Sequence, residues 1–343
     1  MKVNRENLLK ELESVIPGLS PKEVIEQSSC FVFQDNVITT FNDEIACSIG
    51  TALDIKGAVP AKLLLEVLRK ITDEEVEIKQ KKGELSIFGK KTKCKIRMEE
   101  KIQLSVDSVD KPVDWEELPE GFSDAVSMVQ GCASQDESRF ELTCINICPE
   151  FIEACDGIQL ARYDIKTNLK KPFLCRKDSL RHIVSMDMQS FSESKNWVHF
   201  KNSTGMVLSC RRFLDEAKTY PDLSKFLKVE GEKTQFPKNL KDTVLRAEIF
   251  SSDTSDENKV EIHIGNEKIK VIGRGVSGWL SETKGIKNYT GSPIQFKIPP
   301  RLFIELTQRF SEFIISKERI KVEGEKYQYL TCIEPIEGDE SEE

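Results

Sequence analysis

Ten cysteines and three histidines are the residues of this chain most able to do nucleophilic or metal chemistry. Their spacing does not suit them to it. Cys175 and His182 stand seven residues apart, nearly two turns of helix, too far for a thiolate–imidazole hydrogen bond along one helix. Cys144, Cys148 and Cys155 come closest to a cluster. No C-x2-C pair occurs, and His182, His199 and His263 are the only imidazoles, so the ligand spacing of a zinc site is missing. The glycine-rich stretch GRGVSG (273–278) comes after a strand-like run, but no phosphate-binding lysine succeeds it in frame, and it reads as a loop. The expectation is of buried, reduced thiols in a protein that is not an enzyme and holds no metal or cofactor.

Basic residues recur more regularly. Gly57–Ile71 reads GAVPAKLLLEVLRKI, residues 175–184 read CRKDSLRHIV, and residues 299–310 read PPRLFIELTQRF. Aligned without gaps, Lys62, Lys177 and Arg301 share one position, and Leu65, Leu180 and Ile304 another. Each copy comes after a short apolar run and then shows apolar residues at helical spacing with cations on another face. The copies lie 115 and 124 residues apart (62 to 177, 177 to 301). That is too long for a solenoid unit and about the length of a domain.

The elements that must position these residues repeat with them. Helices are predicted over 4–15, 61–71, 122–132, 175–184, 239–250 and 301–310, each pair interleaved with short alternating strands. Strands are also predicted at 140–147 and 260–272. Lys101–Glu120 and Lys218–Pro237, rich in breakers, read as linkers. The reading is α+β: three repeated domains, each with two helices on antiparallel sheets, over 1–110, 111–228 and 229–336, and then an acidic tail at 337–343.

The totals agree with a soluble globular protein of 343 residues, 38% hydrophobic and 31% charged, with mean hydropathy −0.39. No apolar run approaches the roughly 20 residues of a membrane helix, and a cytoplasmic location is the default. A net charge of −8 argues against bulk attraction to nucleic acid, though not against a local basic surface. With the helical segments taken as 4–15, 60–71, 121–132, 176–184, 237–248 and 299–310, their charges sum to +4, which leaves −12 for the rest.

Four stretches then resemble, in order and spacing, the bacterial-type DNA sliding clamp, the beta subunit of DNA polymerase III. VPAKLLLEVLR (59–69) is similar to the strand-to-helix segment of that family's first domain. EACDGIQLA (153–161) is similar to its TDGHRLA turn, YPDLSKFL (220–227) to its FPDY linker, and LKDTVLRAEIFSSD (240–253) to the opening helix of its third domain. The resemblance covers essentially the whole chain. It implies the DNA clamp fold, a head-to-tail homodimer closed into a ring, and a non-catalytic processivity factor. Such a ring encircles duplex DNA without reading sequence, and short peptide motifs dock the polymerase and clamp loader on it.

Carried over residue by residue, the resemblance implies DNA contact by Lys62, Arg69, Lys70, Gln135, Arg176, Lys177, Arg181, Lys241, Arg246, Arg301 and Arg309. It implies a peptide pocket of Leu142, Cys155, Leu160, Pro221, Phe226, Cys332, Ile333 and Pro335. There are departures. Ile158-Gln159 stands where the family usually has His-Arg, Glu334 precedes the terminal proline, and seven mostly acidic residues come after Ile336. These point to a diverged member of viral or plasmid origin with its own docking motif. The alternative is a clamp-fold scaffold that binds replication or repair proteins without closing a ring; a Cys/His enzyme ranks below it.

Overall fold

The computed structural model describes residues 1–252 and 258–336. Among them are six α-helices: α1 (Arg5–Ser14), α2 (Ala61–Lys70), α3 (Phe122–Val129), α4 (Lys177–Ser185), α5 (Leu240–Ser251) and α6 (Pro300–Arg309). Local chemistry sets their starts. Asn4 caps α1 by accepting from the Asn7 N–H at 3.0 Å, and α6 carries Pro300 at its first position, where no backbone donor is needed. The helices pack in sequence pairs, α1 with α2, α3 with α4 and α5 with α6.

The recurring helix does not bury the same row three times. Leu65 and Leu180 are buried, but Ile304 is only half-buried. The row buried in all three copies is one residue earlier: Leu64, Ser179 and Phe303. In α6 the large Phe303 ring takes the core position, edge-on to Phe296 and Phe236 at centroid distances of 6.3 and 6.0 Å. That turns Ile304 toward the margin.

The chain packs as two compact units. The first comprises Met1–Gly131, Asp136–Ile152 and Ile165–Tyr220. It contains a four-stranded sheet that ends on Lys93–Arg97, and an eight-stranded antiparallel sheet. In the latter, Ile45–Gly50 pairs with Val207–Arg211, with Cys47 opposite Leu208, so strands from the first and middle thirds of the chain share one sheet. The expected linker after residue 100 is tied down there. The Gln27 amide donates to Glu99 and to the Lys101 carbonyl, both at 2.8 Å, and accepts from the Gln103 N–H at 2.8 Å. Leu104 is buried in a core with Val32, Phe41 and Trp197.

The second unit comprises Cys132–Gln135, Glu153–Asp164 and Pro221 onward. Gln159–Asp164 pairs antiparallel with Tyr327–Cys332, Leu160 lying opposite Leu330. A five-stranded sheet runs Gly278–Gly285, Lys268–Gly275, Val260–Gly265, Ile294–Ile298, Glu334–Pro335.

Three local expectations are corrected. Residues 140–147 are not one strand. Phe140–Thr143 is a 3-10 turn, because the Thr143 hydroxyl donates back to the Phe140 carbonyl at 2.7 Å, and only Cys144–Ile147 is extended. GRGVSG is not a loop but the hairpin between Lys268–Gly275 and Gly278–Gly285, with Gly275 opposite Gly278. The glycines lead into a strand, so no helix N-terminus is offered to a phosphate. Gly273 serves packing instead, since a Cβ there would collide with the Ala247 carbonyl of α5. The second linker contains a strand, Glu232–Gln235, paired with Glu312–Ile315. The polar stretch at 253–257 and the acidic tail lie outside the described residues.

Candidate nucleic-acid interface and docking cleft

The eleven basic and polar residues expected at DNA fall into groups of different availability. Lys62, Lys70, Arg309 and Gln135 are exposed. Arg301 is 88% exposed and 3.5 Å from Glu305, one turn on, and Arg181 sits 3.4 Å from Asp178 on α4. Pairs this open contribute about 0–1 kcal/mol each and exchange readily for another anion. Lys177 and Lys241 are half-buried. Arg69 reaches across to α1, with Nη2 2.8 Å from Glu13 Oε1. Arg246 holds Glu282 with Nε at 2.9 Å from Oε2 and Nη2 at 2.7 Å from the same oxygen, and that contact keeps the Glu282 carboxyl below its ordinary range.

Arg176 differs from the rest. Its side chain is only 14% exposed. Nη1 and Nη2 donate to the two Glu137 oxygens at 2.7 and 2.6 Å, and Nη1 also donates to Thr143 Oγ1 at 2.9 Å. Its guanidinium lies over the Phe140 ring at 5.4 Å. The fork is filled by protein, and the Glu137 contact holds the guanidinium above and the carboxyl below their usual ranges.

The pocket residues also separate. Leu142, Cys155, Leu160 and Ile333 are buried, Pro221 is half-buried, and Phe226, Cys332 and Pro335 are exposed. Within the second unit an open cleft of about 460 Å³ gathers Cys332, Ile333 and Pro335 of that set. It adds residues that sequence reasoning did not place there, Ile158, Lys259, Pro299 and Arg319 among them. The Asp156-Gly157 turn builds one wall. Asp156 Oδ1 accepts from the Ile158 and Gln159 N–H groups at 2.8 Å, and Gly157 takes φ +97°, a conformation open to glycine. The turn leaves the Ile158 side chain 58% exposed. The Ile158 carbonyl accepts from the Cys332 N–H at 2.8 Å, which fixes that wall to the end of strand Tyr327–Cys332.

Glu334 on the opposite side is 2.6 Å from Lys259 Nζ, and this contact lowers its carboxyl from the ordinary range. Arg319 lies over the Phe226 ring at 5.5 Å and so connects the YPDLSKFL segment to the cleft. Nothing local in the sequence announces that pairing, because the two residues are 93 positions apart. Beneath the same segment, Arg162 Nη2 is 2.6 Å from the buried Glu153 and 3.3 Å from Ser224 Oγ.

Eight of the ten thiols are buried, but, against the expectation of buried thiols, Cys332 is exposed and Cys94 half-exposed. Cys175 is fully buried, which raises its thiol well above the usual range, and His182 is pushed down by burial and by Arg181. His199, also buried, is held between Ser194 Oγ at 2.9 Å and Ser209 Oγ at 2.8 Å, with its pKa lowered to about 4 by desolvation. No group of three potential metal ligands occurs among the described residues. No helix among them is long and apolar enough to cross a membrane.

No family model matches the chain. The beta sliding clamp of Chlamydia pneumoniae is 20% identical over 331 residues, covering 90% of this chain and 89% of the relative. Solved structures agree over the full length. The pol III beta of Caulobacter crescentus superposes with a TM-score of 0.82 at 16% identity, covering 98% of this chain and 99% of the other. A DnaN sliding clamp of Bartonella birtlesii bound to griselimycin gives 0.82 at 16% over the same shares, and the Bacillus subtilis DNA polymerase sliding clamp gives 0.79 at 15%, covering 98% of each chain. In sequence the chain is thus a distant relative of the beta sliding clamp, and over 98% of its length it has the fold of DNA polymerase III beta subunits.

Proposed function

We propose that this protein is a DNA polymerase processivity factor: two copies close head to tail into a ring that encircles duplex DNA, and docked peptides tether the polymerase and other replication factors. The observation that carries this reading is the likeness to sliding clamps over 98% of the chain, rather than over one domain. The role needs no reacting group, and it is consistent with the burial of eight of the ten thiols. The three clamp domains are taken as 1–110, 111–228 and 229–336. Exposed Lys62, Lys70, Arg181, Arg301, Arg309 and Gln135 are the proposed phosphate contacts. Weak, exchangeable contacts suit sliding, because each fixed contact adds salt-dependent friction.

The second proposed site is the cleft lined by Ile158, Cys332, Ile333 and Pro335, with Phe226 joined to it through Arg319, a largely apolar surface of the size that takes a short peptide. Topology supplies the test. Loaded on nicked circular DNA, the protein is expected to remain bound at salt that abolishes electrostatic binding, and to run off once the circle is cut. Retention that does not depend on circularity, or a strictly monomeric protein at micromolar concentration, overturns the ring.

A further inference from the structure

We infer that Arg319 makes the docking cleft selective for a peptide whose apolar residues are succeeded by a carboxylate. This rests on the docking role proposed for the cleft and specifies the chemistry of its occupant. Of the three cations that line the cleft, Lys259 holds Glu334 at 2.6 Å, and Lys297 acts on the same carboxyl only through its potential. Arg319 is different. It lies in strand Arg319–Glu323, half-buried, and lines the cleft. Among the described residues no carboxylate is paired with it; its guanidinium rests on the face of Phe226.

A guanidinium held over a ring by cation–π attraction keeps its N–H donors for another partner, because the ring supplies no hydrogen-bond acceptor atom. Phe226 is 41% exposed, so the stacked pair stands at the rim rather than in the core. The apolar wall beside it consists of the exposed Ile158, with Ile333 and Pro335. A peptide that places two or three apolar side chains on that wall brings its next residue to the Arg319 fork. There an anion makes charge-assisted hydrogen bonds, and a neutral amide leaves the fork unfilled. The carboxylate is that of an acidic side chain, because the open cleft lets the peptide run on past Arg319.

Three fluorescein-labelled hexapeptides separate a side-chain carboxylate from a terminal one. Each has two leucines and a phenylalanine, ending in aspartate with an amidated terminus, in asparagine with a free carboxyl, or in asparagine with an amidated terminus. The native protein is expected to bind the first about tenfold or more tighter than the third, and Arg319→Gln to erase the difference; a preference for the second peptide alone overturns the side-chain source. Arg319→Glu should instead favour a fourth peptide, amidated and ending in lysine, an outcome that a misfolded variant cannot give. Equal or undetectable binding of all three by the native protein overturns the inference, as does a preference that survives Arg319→Gln. Retention on closed circular DNA, measured in parallel, reports the ring separately: its loss in the native protein overturns the clamp reading, and its persistence with indifferent peptides overturns only the role of Arg319.

Discussion

Arg176 and Glu137 face each other as a two-point ion pair, with both guanidinium Nη atoms on both carboxylate oxygens at 2.7 and 2.6 Å. The pair joins the start of α4 to the loop after α3, and the Phe140 ring covers the guanidinium. By position in the repeat Arg176 is a DNA residue; by its contacts it braces the loop at Glu137. Arg176→Gln should lower stability by about 1–3 kcal/mol, the range for a charge-assisted hydrogen bond, and leave the salt dependence of DNA binding unchanged. Urea unfolding beside a binding titration decides between the two roles.

Replacing Lys62, Lys70 and Arg309 together by alanine should have the opposite profile. All three are exposed, so stability should change little. Binding to a short linear duplex should lose salt sensitivity, the slope of log K against log salt falling in magnitude by about 3 for each protomer whose cations meet the duplex. An unchanged slope removes them from the interface.

The eight residues of the expected pocket should divide on substitution. Leu160 is 5% exposed, so Leu160→Ala should cost about 2–5 kcal/mol whether or not a peptide is present. Phe226→Ala, at the rim, should weaken peptide binding with a far smaller stability loss. Thermal melts with and without peptide distinguish core from pocket.

Thiol labelling gives an independent map. Cys332 is exposed and Cys94 half-exposed, whereas the other eight of the ten cysteines are buried, with Cys30 pushed to about 11 and Cys144 to about 12 chiefly by desolvation. A thiol reagent should modify Cys332 first and the buried eight only on unfolding. Because Cys332 lines the cleft, its modification should block peptide docking and leave retention on circular DNA intact.

Acid should destabilise the protein through His199. Its folded pKa is about 4 and its unfolded value about 6.5, so the unfolded chain binds a proton that the folded one refuses. The full stability is present above pH 6.5 and falls as pH drops toward 4, by roughly 1.4 kcal/mol per unit from this group. His199→Gln, which cannot titrate, should flatten the melting temperature between pH 6.5 and 4.5 relative to the native protein.

Much of the fold was legible in the residues. Apolar spacing located all six helices, since a helix reports its buried face every three or four positions, and the recurrence of one helix 115 and 124 residues apart revealed the repeat. The same local rules misread Phe140–Thr143, where a hydroxyl captures a backbone carbonyl, and GRGVSG, where glycine marks close helix packing rather than a loop. They also placed Ile304 in a row that Phe303 occupies.

Tertiary structure alone decided which charges are available and which residues meet. The pairing of Arg176 with Glu137, of Arg246 with Glu282 and of Arg319 with Phe226 joins positions 39, 36 and 93 apart. Ion pairs and cation–π contacts act over a few ångströms of space and leave no period in the chain. Sequence therefore determined the elements and the positions of the cations, because burial repeats with backbone geometry. Only the packed sheets and turns could decide that Arg176 is spent on a carboxylate, whereas Arg319 stands open in the cleft.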